Sequence, residues 1–273
     1  MNYTCQFTNQ FGSKMEKMKS LHCNLEEGIL TITFTGDPKS STITEQSLSE
    51  LHATIQEVYD NEDIRGVIIT GAGEQIFSLG VDIAELLKLN ELNARKFAEN
   101  GQDVLAFIEN CPKPIMAAIN GHTLGAGIEL ALACHFRVAT ENATLAFPET
   151  SFGIIPAFGG TQRLTKLLGK AKALEYLMIK KSIRAEHAKQ LDLVSEVVSY
   201  KEEMLKKAKQ YLTAIVNNKD ITGILVACVN AAENPDENGF QTEANGFASC
   251  FKTADIKEKL IKIVDKTVLL ETK

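Results

Sequence analysis

The sequence predicts an α/β fold in which helices cover parallel strands, followed by a mainly helical C-terminal region. Two segments each run from a helix with one apolar face into a short strand that is apolar throughout. Strands of that kind are typical of parallel sheets covered on both faces, and their connections are right-handed. After about residue 201 the signals for strands disappear, and apolar residues recur at helical spacing.

The first segment begins with residues 28–35, which alternate between apolar and polar side chains as a half-buried strand does. A helix follows, with apolar side chains spaced by three, four and three residues on one face: Leu48, Leu51, Ile55 and Val58. Residues 66–70 are continuously apolar, which predicts a strand covered on both faces.

The second segment repeats this order. Its helix has its own apolar face: Phe97, Val104, Leu105 and Ile108. Pro112 and Pro114 end that helix, because proline lacks the backbone donor that a helix needs. Residues 115–119 then form a buried strand.

Helical spacing dominates the rest of the chain, over residues 204–216, 221–232 and 239–251. We therefore predict three regions. Residues 1–20 form a flexible N-terminal tail, residues 21–200 form the α/β core, and residues 201–273 form a helical region that mediates oligomerisation.

Composition excludes several classes of function. The 273 residues carry a formal net charge of −6, so no global positive field attracts nucleic acid or an anionic membrane. No apolar run approaches the ~20 residues that span a bilayer. The six cysteines are scattered without CxxC pairs or zinc-like spacing, which favours reduced thiols in the cytoplasm and no metal site. A mitochondrial presequence remains open, because the polar N-terminus is basic.

Two glycine-rich turns follow the apolar strands, at residues 71–83 and 120–130. Each lies where a strand ends and a helix begins, so its backbone N–H groups lack partners within the helix and are suited to holding negative charge. The alternative is that the glycines only permit tight turns. Neither turn has the G-x-G-x-x-G pattern, and the phosphate-loop pattern is absent, so neither of these nucleotide-binding motifs is present.

Two glutamates stand out near these turns. Glu129 lies in an otherwise apolar helical segment, where a buried carboxylate needs a partner or a chemical role. An ion pair with Arg137 is the structural alternative. Glu149 follows Pro148, and taken alone it could be a solvated loop acid or a helix cap. Residues 153–163 form another constrained turn, with Thr161 as the expected cap of the helix that follows.

Three segments in order resemble the crotonase (enoyl-CoA hydratase/isomerase) superfamily: residues 77–83 (FSLGVDI), 120–130 (NGHTLGAGIEL) and 147–163 (FPETSFGIIPAFGGTQR). The likeness covers roughly residues 27–198 and continues more weakly to about 255. It implies a core of repeated ββα units arranged as a spiral, with a C-terminal helical region that forms trimers.

The resemblance also implies roles for individual residues. The N–H groups of Val81 and Ala126 would form an oxyanion hole for a thioester, and Glu129 and Glu149 would be the catalytic carboxylates. Lys39 would lie near the phosphates of coenzyme A. Further substrate contacts would come from the turns: Ser78, Gly80, Asp82, Ile83, Gly125, Gly127, Pro156 and Gly159.

Glutamates at both positions favour hydration of a 2-enoyl-CoA, or the reverse dehydration. The alternatives within the family are an isomerase, a decarboxylase, or a dehydratase acting on an acyl group bound to a carrier protein. A non-catalytic interaction protein of the same fold is a third class. The resemblance further implies a homotrimer or homohexamer, and no cofactor other than the coenzyme A that the substrate carries.

Overall fold

The computed structural model describes residues 18–35, 41–179, 181–216, 219–252, 256–258 and 260–264. Lys39 therefore lies outside the described residues, as does most of the predicted tail. The described residues as far as Val216 form one compact unit, and those from Lys219 onward form a second.

A main sheet of mostly parallel strands organises the first unit. Its strands in chain order are β1 (Leu21–Glu26), β2 (Ile29–Phe34), β3 (Gly66–Gly71), β5 (Ile115–Ile119), β7 (Phe136–Thr140) and β10 (Glu196–Val198). Neighbouring strands in the sheet follow this same order, and β1 pairs with β2 in the antiparallel sense while the others run parallel.

A smaller sheet consists of short strands that follow the main ones. These are β4 (Ile76–Ser78), β6 (His122–Leu124), β8 (Thr144–Ala146) and β9 (Ile183–Arg184). Strands β4, β6 and β8 run parallel, and each comes directly after a turn from β3, β5 or β7. The chain thus alternates between a long strand, a short strand and a helix, which confirms the predicted ββα spiral.

Helices fill the intervals between the strands. In chain order they are α1 (Glu45–Asp60), α2 (Ile83–Leu86), α3 (Glu91–Glu109), α4 (Ala126–Ala133), α5 (Gly160–Leu168), α6 (Lys170–Ile179), α7 (Ala185–Gln190), α8 (Lys201–Val216), α9 (Lys219–Ala231) and α10 (Gly239–Cys250). A short 3-10 helix, Glu149–Phe152, precedes α5.

The sequence pattern explains the main elements. Thr44 begins α1 with a capping box to Ser47, and the four predicted apolar side chains of this helix are all buried. Every residue of β3 and of β5 is buried, as expected of strands covered on both faces. The third predicted helical region matches α10, and the strand at residues 115–119 has the predicted bounds.

The predicted boundary between core and helical region differs from the structure. Helix α8 belongs to the first unit, because Met204, Ala208 and Leu212 recur at a spacing of four and pack against the main sheet. Leu205 packs against the same cluster. The change of unit therefore falls after Val216 rather than after residue 200.

Two smaller expectations are also corrected. Residues 18–20 are not loose, since Glu50 accepts hydrogen bonds from the N–H groups of Lys19 (3.1 Å) and Ser20 (3.0 Å). Thr161 does not cap α5, which has Gly159 at its N-cap position and no side-chain cap. Among the described residues no single helix is long and apolar enough to cross a membrane; only α8 and part of α9, counted together across a break, meet that criterion by length and composition.

Candidate active site

The two glycine-rich turns are joined by a buried amide. The side chain of Asn120 donates to the carbonyls of Gly73 (2.6 Å) and Ile76 (2.9 Å) and accepts from the N–H of Gly71 (2.9 Å). All the donors and one acceptor of the amide are thereby used, which holds the first turn against the end of β5. Strands β4 and β6, which lie within the two turn segments, pair with each other.

A lysine from α8 closes the first turn from the other side. The ammonium of Lys201 donates to the carbonyls of Gly71, Ala72 and Gly73, each at 2.8 Å. Burial lowers the pKa of Lys201. Its three donors are all satisfied, so the lysine stabilises the turn rather than serving as a free cation.

Glycines allow the backbones of the two turns to approach each other. Gly80 has φ +87°, and a Cβ there would lie 2.8 Å from the carbonyl oxygen of Leu124 and 3.3 Å from the nitrogen of Ala126. A Cβ at Gly127 would lie 2.7 Å from the carbonyl oxygen of Ser78. The glycines therefore do more than permit turns, because they bring the backbone at residue 80 against the start of α4.

Two backbone N–H groups, those of Val81 and Ala126, lie at this approach. Ile43 donates to the carbonyl of Gly80 (2.7 Å) and accepts from the N–H of Asp82 (2.9 Å), so the N–H of Val81 points away from Ile43. Ala126 is the first residue of α4, so its N–H has no partner within the helix. Neither group has a backbone partner among the described residues, and Val81 and Ala126 line the same cavity.

Glu129 lies on the first turn of α4 and is 1% exposed. Its Oε1 accepts from the N–H groups of Phe158 (2.8 Å), in the loop before α5, and of Gly160 (2.7 Å), the first residue of α5. Burial raises the pKa of Glu129 to about 7, against the opposing effect of these two N–H groups. The negative charge of Glu149 raises this pKa further, while Arg163 lowers it.

Glu149 begins the 3-10 helix and lines the same cavity as Glu129. Its Oε2 is buried and has no hydrogen-bond partner among the described residues. Burial raises the pKa of Glu149. Gly125 lies directly beneath this carboxylate, since a Cβ at that residue would collide with Oε1. Glu149 is therefore neither a solvated acid nor the side-chain cap of its helix.

The cavity is mostly apolar apart from the two carboxylates. Its walls include side chains from α2, α3, the 3-10 helix and the loop before α5: Ile83, Leu86, Phe97, Phe152, Ile155 and Phe158. Two carboxyl groups that share an apolar site titrate at separated pH values, so one can hold a proton while the other is ionised. This arrangement can both accept and donate a proton near neutral pH.

The structure brings most of the predicted site residues together. Gly80, Ile83 and Gly125 line the cavity with the two glutamates and the two N–H groups. Ser78 and Gly127 lie behind it, where the hydroxyl of Ser78 accepts from the N–H of Gly80 (3.2 Å).

Three other predicted contact residues do not line the cavity. The carboxylate of Asp82 caps α2 through the N–H of Ala84 (2.8 Å) and accepts from Thr42 (3.0 Å). Pro156 is buried, and Gly159 precedes α5 with φ +101°. These residues shape the loops that carry the site, and the role of Lys39 stays a prediction.

The ion pair between Glu129 and Arg137, which was the structural alternative for this glutamate, is not observed. Arg137 donates instead to the carbonyls of Leu193 (2.8 Å) and Cys134 (2.7 Å), at the far end of α4. Within the part of the chain that the structure describes, no three His, Cys, Asp or Glu side chains are grouped as metal ligands would be.

Sequence reasoning missed the residues that hold Glu129 in place. Arg163 donates to the carbonyl of Phe158 (2.9 Å) and pairs with Glu109 (2.8 Å), which fixes the loop whose N–H groups bind the carboxylate. The signal available in the sequence was the pair of glycines at 159 and 160, which indicates a tight turn at the start of a helix.

The raised pKa of Glu129 predicts a pH-dependent stability. Between the ordinary value of 4.5 and about 7, the folded protein keeps the proton that the unfolded chain releases. The stabilisation is complete below pH 4.5 and is lost as the pH rises through about 7. Glu129→Gln cannot lose a proton, so its free energy of unfolding should not fall in this way. The variant's free energy of unfolding minus that of the wild type should therefore be larger at pH 8 than at pH 5, by about 2–3 kcal/mol.

Urea unfolding of both proteins at the two pH values measures this difference. A parallel loss of stability in wild type and variant between pH 5 and pH 8 would show that the carboxyl of Glu129 is not its source. Glu50→Gln is the matched control, because Glu50 also accepts from two backbone N–H groups but its pKa is lowered.

Several known proteins are similar to this chain in sequence and in fold. The model of the family described as "Enoyl-CoA hydratase/isomerase" matches residues 24–268. A short-chain-enoyl-CoA hydratase of Clostridium acetobutylicum is 34% identical over 244 residues, which are 88% of this chain and 93% of that protein. A crotonyl-CoA hydratase of Syntrophomonas wolfei is 36% identical over 244 residues, 88% of this chain and 94% of that protein. The crystal structure of an enoyl-CoA hydratase from Bacillus anthracis superposes with a TM-score of 0.83 and 31% identity, over 91% of this chain and 97% of that one.

Proposed function

We propose that the chain, which belongs to the enoyl-CoA hydratase/isomerase family, adds water reversibly to 2-enoyl-CoA thioesters. The relatives that bear the names short-chain-enoyl-CoA hydratase and crotonyl-CoA hydratase support this assignment. The observation that carries it is the pair of carboxylates, Glu129 and Glu149, which line one apolar cavity and both have raised pKa values.

The two backbone N–H groups supply the electrostatic part of the proposed reaction. When water adds to the β-carbon of an enoyl thioester, negative charge develops on the thioester oxygen as an enolate. Donors that are already in place stabilise that charge without reorganising, and the N–H groups of Val81 and Ala126 meet this requirement. The side chain at either residue is immaterial to this role, because only the backbone donates.

The two carboxyl groups supply the proton transfers. An ionised carboxylate removes a proton from a water molecule as the oxygen of that water bonds to the β-carbon. The protonated carboxyl then delivers its proton to the α-carbon, and the enolate returns to the thioester. The two carboxyl groups share one proton before the reaction and one proton after it, because one group gains a proton from water while the other gives one to carbon. No further cofactor takes part.

A panel of trans-2-enoyl-CoA thioesters tests the proposal directly. The purified protein should remove the absorbance of the conjugated thioester at a rate proportional to enzyme, and the product should be a 3-hydroxyacyl-CoA by mass. Absence of hydration across the panel would overturn the proposal, and rapid rearrangement of 3-enoyl thioesters instead would assign the isomerase alternative. A carrier-protein thioester run in parallel separates the two acyl carriers.

We further propose that the chain assembles as a homotrimer or homohexamer. Several large apolar side chains of α9 and α10 are exposed, and such surfaces in isolated chains are typical of subunit interfaces: Leu225, Val229, Phe240 and Phe247. The sequence predicted that all of residues 201–273 mediate oligomerisation, but the apolar face of α8 is already buried, because Leu212 packs on the main sheet. Light scattering should give a mass at least three times that of the 29.9 kDa chain.

A further inference from the structure

A second, larger cavity lies beside the candidate active site. It is bounded by α1, by the end of α2 with the residues that follow it, and by α3. Leu48, Leu89, Phe97 and Val104 are its apolar residues, and the other lining residues are polar or charged. Phe97 lines both cavities. The segment that begins with α2 divides in the same way, since Leu86 at the end of the helix lines the site and Leu89, three residues further, lines the second cavity.

The ring of Phe97 is held in this position by Phe158. The two ring centroids are 5.2 Å apart with the planes at 45°, a favourable tilted arrangement. Phe158 itself is 1% exposed and is fixed by its N–H to Glu129 and its carbonyl to Arg163. Gly101 makes room for the ring of Phe158, because a Cβ there would collide with it.

The orientation of the proposed substrate directs its acyl chain toward this wall. The thioester oxygen would lie at the N–H groups of Val81 and Ala126, and the α- and β-carbons would lie between the two carboxylates. Carbon atoms beyond the β-carbon must then occupy the apolar remainder of the cavity, part of whose wall is Phe97.

We propose that Phe97 is the residue that sets acyl-chain length, by separating the active site from the second cavity and so favouring short-chain 2-enoyl thioesters. This inference rests on the proposed hydratase function. Loss of the ring would join the two cavities and give a longer chain a partly apolar space to enter. Extra methylene groups in an apolar pocket change kcat/KM by roughly 10-fold or more.

The test compares kcat/KM for C4, C8 and C10 trans-2-enoyl-CoA in wild type and Phe97→Ala. Wild type should prefer C4, and the variant should raise the ratio of C8 to C4 by roughly 10-fold or more. Leu89→Ala is the matched control, because it enlarges the second cavity and leaves the wall intact, so its C8 to C4 ratio should equal that of the wild type. Phe97→Trp keeps an aromatic wall and should retain the preference for C4.

The outcomes separate the two proposals. If the wild type hydrates no thioester, the proposed function fails. If it hydrates C8 as well as C4, or if Phe97→Ala retains C4 activity with an unchanged ratio, the role of Phe97 is overturned while the hydratase function stands. If Phe97→Ala does not fold, an unchanged preference for C4 in Phe97→Leu, whose smaller side chain opens the wall in part, would overturn it equally.

Discussion

Replacing either Glu129 or Glu149 with glutamine should lower the turnover of crotonyl-CoA by roughly 10²–10⁴-fold, the range for removal of a general acid or base. The amide of glutamine keeps the size of the side chain and can still accept from the N–H groups of Phe158 and Gly160. It can neither take a proton from water nor give one to carbon. The fold should therefore remain, and the loss should appear in kcat.

Three comparisons sharpen this experiment. The double variant should be little slower than the slower single variant, because residues that act as one unit do not contribute additively. Glu50→Gln should keep wild-type turnover, since Glu50 accepts from the N–H groups of Lys19 and Ser20 and does not line the cavity. A folded single variant with near-native hydration would remove that glutamate from the mechanism.

Gly80→Ala should lower kcat by roughly 10²–10³-fold, about the effect of losing one donor of an oxyanion hole. The backbone at Gly80 has φ +87°, and an added Cβ would lie 2.8 Å from the carbonyl oxygen of Leu124. Because that oxygen belongs to the backbone, the two turns must separate to relieve the contact. Their separation moves the N–H of Val81 away from that of Ala126.

Gly169→Ala provides the matched control for this variant. Gly169 also has positive φ, +73°, but a Cβ there would meet nothing within 4 Å. Both substitutions strain the backbone, at Gly169 (φ +73°, ψ 160°) by ~1–3 kcal/mol, while only the first moves the proposed oxyanion hole. Kinetics with crotonyl-CoA distinguish them: equal losses in the two variants would trace the effect to stability and contradict the role of the turns.

The spacing of apolar residues was sufficient to predict the elements whose structure depends mainly on their own residues. The strand at residues 115–119 and the apolar face of α1 are present as predicted, because apolar spacing reports burial directly. Glu129 could be identified as unusual for the same reason, as a carboxylate among apolar neighbours. The position of Glu149 became informative only through its resemblance to a known segment.

Contacts between distant residues could not be read in this way. The N–H groups that bind Glu129 belong to Phe158 and Gly160, which follow it by 29 and 31 positions. Their side chains give no signal in the sequence for a contact made by the backbone. The placement of α8 was missed because an amphipathic helix has the same spacing whether its apolar face meets a sheet or another subunit. Phe97 was correctly assigned to the inner face of α3, but its position between two cavities depends on α1 and α2.

The contact between Lys201 and the first glycine turn has a consequence for the order of folding. The ammonium and the carbonyl of Gly71 are separated by 130 residues, so the turn is complete only after most of the core has been synthesised. Contacts of such long sequence separation form late, because closing a long loop costs entropy before any contact repays it. Until α8 has been synthesised, the carbonyls of Gly71 and Ala72 lack the ammonium donor, whereas the carbonyl of Gly73 can already accept from the side chain of Asn120.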